Sequence, residues 1–231
     1  MAFGFDVISD LYITDQKTFD WENKPTSLYC IIPGNITNDV YVLYKVLKHL
    51  SKCYQGVFYI DGSLEHNFIH EKDLVTAEIG KICNKIKNVV YLHNNVVVVD
   101  GIALVGANGW DNNISVSSDE DKFQIKSYKY DDLLYLEKTI ERLQLHVDVK
   151  KIIAITNSVP TDKLYFGESP SNEADVDLSM ILGADSEQKI TSWVFGHHKK
   201  IVDTTIDGIN YLNNPCYDRN PYYAKRINIE I

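Results

Sequence analysis

Five polar side chains, each following an apolar run, are the residues of this sequence best suited to chemistry. They are Asp10, Asn35, Asp61, Asn157 and His197. In open α/β sheets, ligands gather at the carboxyl ends of strands, so side chains that follow strands can meet at one site. The spacing leaves two interpretations open: these residues converge, or strand ends are polar simply because loops are.

The elements that would position these residues alternate between strand and helix patterns, which predicts an α/β protein. Apolar residues at helical spacing predict helices over 40–50, 72–87 and 133–147, the first with Asp39 as N-cap. The runs 89–92, 96–99 and 102–106 follow one another too closely for parallel crossovers, so the sheets must be mixed. The polar stretches 107–121 and 158–175 are predicted to be loops.

Composition excludes several classes of protein. The net charge of −9 over 231 residues opposes nucleic-acid binding, which relies on Lys and Arg at phosphates. No apolar run approaches the roughly 20 residues that span a bilayer, and no basic segment or cleavage site follows Met1. The four scattered cysteines are typical of reduced thiols. We therefore expect one domain over 1–231, cytoplasmic, with no membrane or nucleic-acid partner; abundant Asn, Tyr, Ile and Lys hint at a phage source.

Short motifs spread over almost the whole chain resemble those of the calcineurin-like metallophosphoesterases. In order, they are SDLY at 9–12, GNITN at 34–38, GSLE at 62–65, TNSVP at 156–160 and GHHK at 196–199. Two further segments resemble the family: G-x-x-x-W at 106–110, and NPCY at 214–217, which is similar to the family's terminal N-P-x-x-Y. The resemblance implies a four-layer α/β/β/α sandwich with two mixed sheets.

The resemblance also implies which positions would hold two metals. The first metal would use the positions of Asp10, Tyr12, Asn35 and Lys199; the second would use those of Asn35, Ser63, Asn157 and His197. Leu64 stands where the family has its general-acid histidine.

Most of these residue types do not suit the chemistry of the family. Two cations about 3.5–4 Å apart require a bridging carboxylate, whereas Asn35 offers a neutral amide. Lys199 places an ammonium at a ligand position, and Leu64 cannot transfer a proton. We therefore expect no cofactor; manganese or another divalent metal on Asp10 and His197 would matter only if residual activity exists.

Two hypotheses describe what replaced the metals. In the first, Lys199 forms an ion pair with Asp10 inside a metal-free network that Tyr12, Asn35, Asn157 and His197 complete. In the second, three residues bind a phosphorylated ligand or nucleotide without cleaving it: His197, His198 and Lys199.

The functional prediction is a catalytically inactive phosphoesterase-like protein that binds another protein or acts as a scaffold, by analogy with other proteins of this fold. A residual metal-dependent phosphodiesterase or phosphatase and a metal-free ligand sensor are the alternatives. The adjacent pair Glu65 and His66 is interpreted as surface polarity, and His93 as isolated.

Overall fold

Two mixed β-sheets pack face to face in the computed structural model of this chain. The structure describes residues 2–13, 25–66, 71–110, 118–165, 178–216 and 223–231. Within these ranges, no helix is both long and apolar enough to cross a bilayer.

The first sheet has the strand order β11-β1-β2-β3-β4. Its strands are β1 (Ala2–Val7), β2 (Tyr29–Pro33), β3 (Gly56–Ile60), β4 (Val89–Tyr91) and β11 (Lys225–Glu230). The strands β1 to β4 run parallel and β11 pairs antiparallel with β1. Two helices accompany this sheet, α1 (Val40–Cys53) and α2 (Lys72–Asn84). The inner strand β3 is buried along its whole length, as expected for a parallel strand covered on both faces.

The second sheet has the strand order β5-β6-β7-β8-β10-β9. Its strands are β5 (Asn95–Val99), β6 (Ile102–Ala107), β7 (Lys151–Thr156), β8 (Ile190–Phe195), β9 (Val202–Ile206) and β10 (Ile209–Asn213). The four inner strands run parallel, and the edge strands β5 and β9 pair antiparallel. The helices α3 (Asp119–Gln144) and α4 (Leu178–Ala184) accompany this sheet, and a short 3₁₀ helix spans Asp162–Tyr165.

Three apolar cores separate the layers, because successive side chains of a strand point to opposite faces. In β2, Ile31 faces the core between the two sheets, whereas Cys30 and Ile32 face the core beneath α1 and α2. A third core fills the space between the second sheet and the helices α3 and α4. The predicted four-layer α/β/β/α sandwich with two mixed sheets is confirmed.

Among the described residues, the predicted elements agree with the structure except along α3 and at the 3₁₀ helix within the predicted loop 158–175, of which 166–175 lies outside the described residues. Asp39 is the N-cap of α1, and its carboxylate accepts hydrogen bonds from the amides of Tyr41 and Val42. The helix α3, however, begins at Asp119 with Ser118 as its N-cap, inside the predicted loop 107–121. Its first three turns carry mostly polar residues, so apolar periodicity detects only the second half, from Leu133 onward.

Candidate functional site

The carboxyl ends of strands from both sheets meet at one edge of the sandwich. Asp10 follows β1, Asn35 follows β2 and Ser63 follows β3, while Asn157 and His197 follow β7 and β8. Hydrogen bonds connect these residues, which together we call the rim site. Of the five strand-end residues singled out in the sequence, Asp10, Asn35, Asn157 and His197 therefore converge here.

The carboxamide of Asn35 occupies the centre of the rim site. Its Nδ2 donates a hydrogen bond to Asp10 Oδ1 at 2.9 Å and lies 3.5 Å from His197 Nδ1. Its Oδ1 accepts from the amide of Leu64 at 3.0 Å and from the hydroxyl of Ser63 at 3.4 Å. This arrangement fixes the orientation of the amide, because a backbone N–H requires an acceptor and a carboxylate requires a donor.

The carboxyl group of Asp10 is buried beside Asn35. Its Oδ1 also accepts from the backbone amide of His197 at 2.9 Å, whereas its Oδ2 has no hydrogen-bond partner among the described residues. Burial raises the pKa of Asp10 above its ordinary value, and the hydrogen bonds from Asn35 and His197 oppose that rise only in part.

The Asn157 side chain joins the rims of the two sheets. Its Nδ2 donates to the carbonyl oxygen of Pro33 at 2.8 Å, and its Oδ1 accepts from the amide of Ser63 at 3.3 Å. The space around Nδ2 is so narrow that a Cβ would lie only 2.6–2.7 Å from it at each of three glycines, Gly34, Gly62 and Gly196. The amide therefore fits only because these positions carry no side chain.

The carboxylate of Glu65 holds the loop that follows β2 against the loop that follows β3. It accepts hydrogen bonds from the backbone amides of Asn35, Ile36, Thr37 and Gly62, at 2.6–3.4 Å. Burial nevertheless raises the pKa of Glu65 above its ordinary value. The prediction that Glu65 is a polar surface residue is wrong, because the residue is only 5% exposed. The four amide hydrogen bonds offset the desolvation cost of burying its carboxyl group.

Four residues of this region adopt left-handed backbone conformations. The φ angles are 52° for Asp10, 46° for Tyr12, 57° for Asn35 and 53° for His197. Such conformations are unfavourable for residues with a Cβ, although Asn and Asp tolerate them better than most. They turn the chain sharply after each strand and bring the side chains toward one another.

Lys199 does not take the predicted place in the network. Its side chain is exposed and forms no ion pair with Asp10, and Tyr12 is 37% exposed. The predicted ion pair is therefore wrong. Burial of an ammonium group costs more hydration free energy than pairing with one carboxylate easily returns. The Asn35 amide already donates to Asp10 Oδ1 without adding a charge.

A pocket of about 230 Å³ opens beside the rim site, and the residues expected to bind a ligand line it. The lining comprises Asp10, Tyr12, His197, His198, Lys199 and Pro215. The ring of His198 is largely buried against Tyr165 and Phe195, with Nδ1 2.8 Å from the carbonyl oxygen of Lys200. His197 and Lys199 are therefore the more accessible basic groups of the pocket.

A second polar cluster, which the sequence reasoning missed, surrounds Asp61. Its carboxylate contacts His66 Nε2 at 2.5 Å, His93 Nδ1 at 3.0 Å and the Tyr91 hydroxyl at 2.8 Å. Asn108 donates to the carbonyl oxygen of Asp61 at 3.0 Å. We call these five residues the Asp61 cluster. His66 is buried rather than on the surface and His93 is not isolated, so both predictions are wrong.

Charge compensation explains how the Asp61 cluster is buried. Burial alone would raise the pKa of Asp61, but the charges and hydrogen bonds of His93 and His66 hold it well below its ordinary value. Burial would lower the pKa of His93, yet the Asp61 carboxylate and the charge of Asp132 raise it above 6.5. Whenever His93 is protonated, it therefore forms an ion pair with the buried Asp61 carboxylate. The only sequence signal for it was the position of Asp61 at a strand end.

The donor atoms of the rim site do not fit the dinuclear metal centre of the fold. The Asn35 amide nitrogen, a donor, points toward Asp10 and His197, while its oxygen is turned toward the Leu64 amide. Metal ligation requires lone pairs directed at the ion, preferably from a bridging carboxylate. Among the described residues, no three His, Cys, Asp or Glu side chains are arranged to hold a metal ion.

Sequence comparison finds a distant viral relative of this chain. No protein-family model matches the sequence. The uncharacterized protein L509 of Acanthamoeba polyphaga mimivirus is 22% identical over 241 residues, covering 88% of this chain and 85% of the viral protein.

Solved structures of low sequence identity superpose on the chain. The phosphopantetheinyl hydrolase PptH of Mycobacterium tuberculosis is 13% identical, with a TM-score of 0.67 over 96% of this chain and 95% of its own. A Staphylococcus aureus protein described as a 5′-nucleotidase is 11% identical, with a TM-score of 0.55 over 92% of this chain and 48% of its own. GAP50, the anchor in the inner membrane complex of Plasmodium, is 11% identical, with a TM-score of 0.53 over 91% of this chain and 70% of its own. The chain therefore has the calcineurin-like metallophosphoesterase fold.

Proposed function

We propose that this chain is a catalytically inactive metallophosphoesterase-like protein that acts as a protein-binding or scaffold module. The observation that carries the proposal is the orientation of the Asn35 amide, whose Nδ2 faces Asp10 and His197. A hydrogen-bond donor at that position repels a cation, so the Asn35 amide takes the place of a metal beside Asp10 and His197.

The missing proton donor supports the same conclusion. Leu64 stands at the general-acid position, and its backbone amide is used to hold Asn35 in place. General acid catalysis contributes about 10²–10⁴-fold in rate, and an apolar side chain supplies none of it. The chain therefore lacks both the carboxylate that would bridge two metals and the general acid, and hydrolysis in this fold uses both.

A scaffold role has support by analogy. GAP50 has this fold and is described as an anchor, so the sandwich serves an assembly role in at least one protein. The similarity to a mimivirus protein supports a viral or phage source for the chain.

Metal analysis and a hydrolysis assay test the inactivity. Protein purified without chelator is expected to contain far less than one equivalent of any transition metal. With manganese and a generic aryl phosphodiester, its turnover should equal that of Asp10→Ala. Stoichiometric metal together with hydrolysis that Asp10→Ala abolishes would contradict the proposal and favour a residual phosphodiesterase or phosphatase.

A pull-down from the native host tests the scaffold role. A stoichiometric protein partner, retained at physiological salt and co-eluting in size-exclusion chromatography, is the expected result. Recovery of the protein alone under these conditions would contradict a scaffold function.

One observation favours a second candidate function, metal-free binding of a phosphorylated ligand. Lys199 lines the 230 Å³ pocket with His197, and among the described residues no acidic side chain forms an ion pair with it. An unpaired ammonium beside an imidazole suits an oxyanion.

In a thermal-shift screen of inorganic phosphate, AMP and cyclic AMP, binding should raise the Tm, and Lys199→Ala should abolish the shift. The exposed control Lys81→Ala should retain it. A flat screen would contradict this candidate.

A further inference from the structure

We propose that the Asn35 carboxamide substitutes for a cation, so that this single residue makes the folding of the rim site independent of metal. The inference rests on the proposed metal-free state and deepens it, because it assigns that state to one side chain. It predicts that Asn35→Asp converts the rim site into a site for one divalent transition metal.

The spacing of the polar atoms carries the first step. Asn35 Nδ2 lies 2.9 Å from Asp10 Oδ1 and 3.5 Å from His197 Nδ1, and the Ser63 hydroxyl lies 3.3 Å from the same imidazole nitrogen. The ligands of a tetrahedral zinc ion, with bonds near 2.0–2.1 Å, lie about 3.3–3.4 Å from one another. The three separations around Asn35 and His197 are therefore already near those between ligands of one metal ion.

The hydrogen bonds of Asn35 carry the second step. Its amide N–H compensates the buried Asp10 carboxylate, as a positive ion would, and adds no formal charge. Its Oδ1 is held by the amide of Leu64 and the hydroxyl of Ser63, so the side chain cannot swing away. A carboxylate at position 35 would keep these two donors but lose the N–H that faces Asp10.

Asn35→Asp would therefore place two carboxylates about 3 Å apart in a buried environment. Their repulsion destabilises the fold unless a cation enters between them. A metal would find two carboxylates, the His197 imidazole and the Ser63 hydroxyl, which are oxygen and nitrogen donors of the kinds that zinc and manganese accept.

Thermal unfolding in EDTA, in zinc and in manganese tests the inference. The unmodified protein should have the same Tm in all three solutions. Asn35→Asp should unfold at a lower temperature in EDTA and gain about 5–10 °C at saturating zinc, with about one equivalent of metal by elemental analysis. If Asn35→Asp does not fold in EDTA, refolding from urea with and without zinc replaces the thermal scan, and recovery only with zinc is expected.

Two control variants make the result specific. Asn213→Asp changes another buried amide, which contacts Val202 and His198, and should be destabilised without any gain from zinc. The double variant Asn35→Asp with Asp10→Asn should lose the response to metal. An Asn35→Asp protein that neither binds nor responds to zinc, while the unmodified protein is metal-free, overturns this inference alone. Metal bound to the unmodified protein would instead overturn the proposed function.

Discussion

At the scale of single residues, neutral amides packed against glycines hold the rim site together. The Asn157 amide fills a space in which neighbouring backbones nearly touch, and the Asn35 amide contacts both Asp10 and Leu64. Neutral amides form these hydrogen bonds without adding a buried charge of their own, which explains how a site that has lost ligand types still folds.

Gly62→Ala should destabilise the protein more than an ordinary glycine substitution. The new methyl group would lie 2.4 Å from Asn35 Oδ1 and 2.7 Å from Asn157 Nδ2, so both amides must shift. We expect a loss of about 2–3 kcal/mol in unfolding free energy, measured by urea denaturation.

The matched control is Gly183→Ala in α4, where nothing lies within 4 Å of the added methyl group. It should be neutral or stabilising by about 0.5–1 kcal/mol. Equal effects of the two substitutions would contradict the packing account.

The sequence identified individual rim residues better than their contacts. Four rim residues were predictable because each follows an apolar run and lies within a recognisable motif, namely Asp10, Asn35, Asn157 and His197. The position of the Lys199 ammonium group was not predictable, because rotation about the bonds of this exposed side chain decides whether it contacts water or a carboxylate. The Asp61–His93 pair was missed because its partners stand 32 residues apart and share no motif.

At the scale of elements, the loop after β3 is fixed on two sides. Glu65 fastens it to the loop after β2, and the Asp61 cluster fastens it to β4 and to the segment that follows β6. A further carboxylate, Asp132 of α3, accepts from Asn94 at 2.8 Å and from the amide of Gly109 at 2.9 Å. The protonation states of Asp61 and its histidine partners therefore affect the stability of the loops around the rim site.

This arrangement predicts a pH-dependent stability. The pKa of His93 is raised in the folded protein, so its contribution is full below pH 6.5 and is lost as the pH rises through the folded pKa. The pKa of Asp61 is lowered, so its contribution is present above pH 3.8 and is lost as the pH falls through the folded pKa. The stability difference between the unmodified protein and His93→Gln should therefore be largest near pH 6 and shrink as the pH rises toward 9.

Urea denaturation at several pH values, with NMR titration of the histidine side chains, measures this effect. Besides Asp61, the charged groups that act on His93 are Asp132, which favours its protonation, and Lys72, which opposes it. His146→Gln, at an exposed histidine, is the control and should leave the pH profile unchanged. A His93 that titrates below pH 6.5, or a pH-independent difference from His93→Gln, would contradict the prediction.

At the scale of the whole molecule, Asn214 links the two sheets beneath the rim site. It follows β10 of the second sheet, and its Nδ2 donates to the carbonyl oxygens of Val7 at the end of β1 and of Tyr223 just before β11, both at 2.9 Å. An isolated bridge between Ser9 and Pro215 adds a backbone connection at the same place.

Asn214→Ala should lower the unfolding free energy by about 2–3 kcal/mol, because two buried carbonyl oxygens lose their donor. The control Asn228→Ala, at an exposed position of β11, should change it by less than about 0.5 kcal/mol. Chemical denaturation of both variants measures the difference. A loss at Asn214 no larger than at Asn228 would show that the two sheets are held by their shared core alone.

The order of layers was predictable from the sequence, whereas the extent of α3 was not. The apolar runs predict an α/β protein with mixed sheets, and the resemblance of the motifs to the family implies the four-layer sandwich. The first turns of α3 depend on capping by Ser118 and on local propensity rather than on an apolar stripe, so periodicity does not detect them.

The left-handed backbone at Asp10, Asn35 and His197 has a consequence for how related sequences are interpreted. Selection against β-branched residues acts at these positions whether or not the protein binds metal, because the turn itself excludes them. An alignment of such proteins would therefore show Asp, Asn, His or Gly retained there through folding requirements alone. Invariance at these positions is not evidence of hydrolysis, and catalytic competence in this fold is better judged from positions such as 64 and 199, whose backbone is not left-handed.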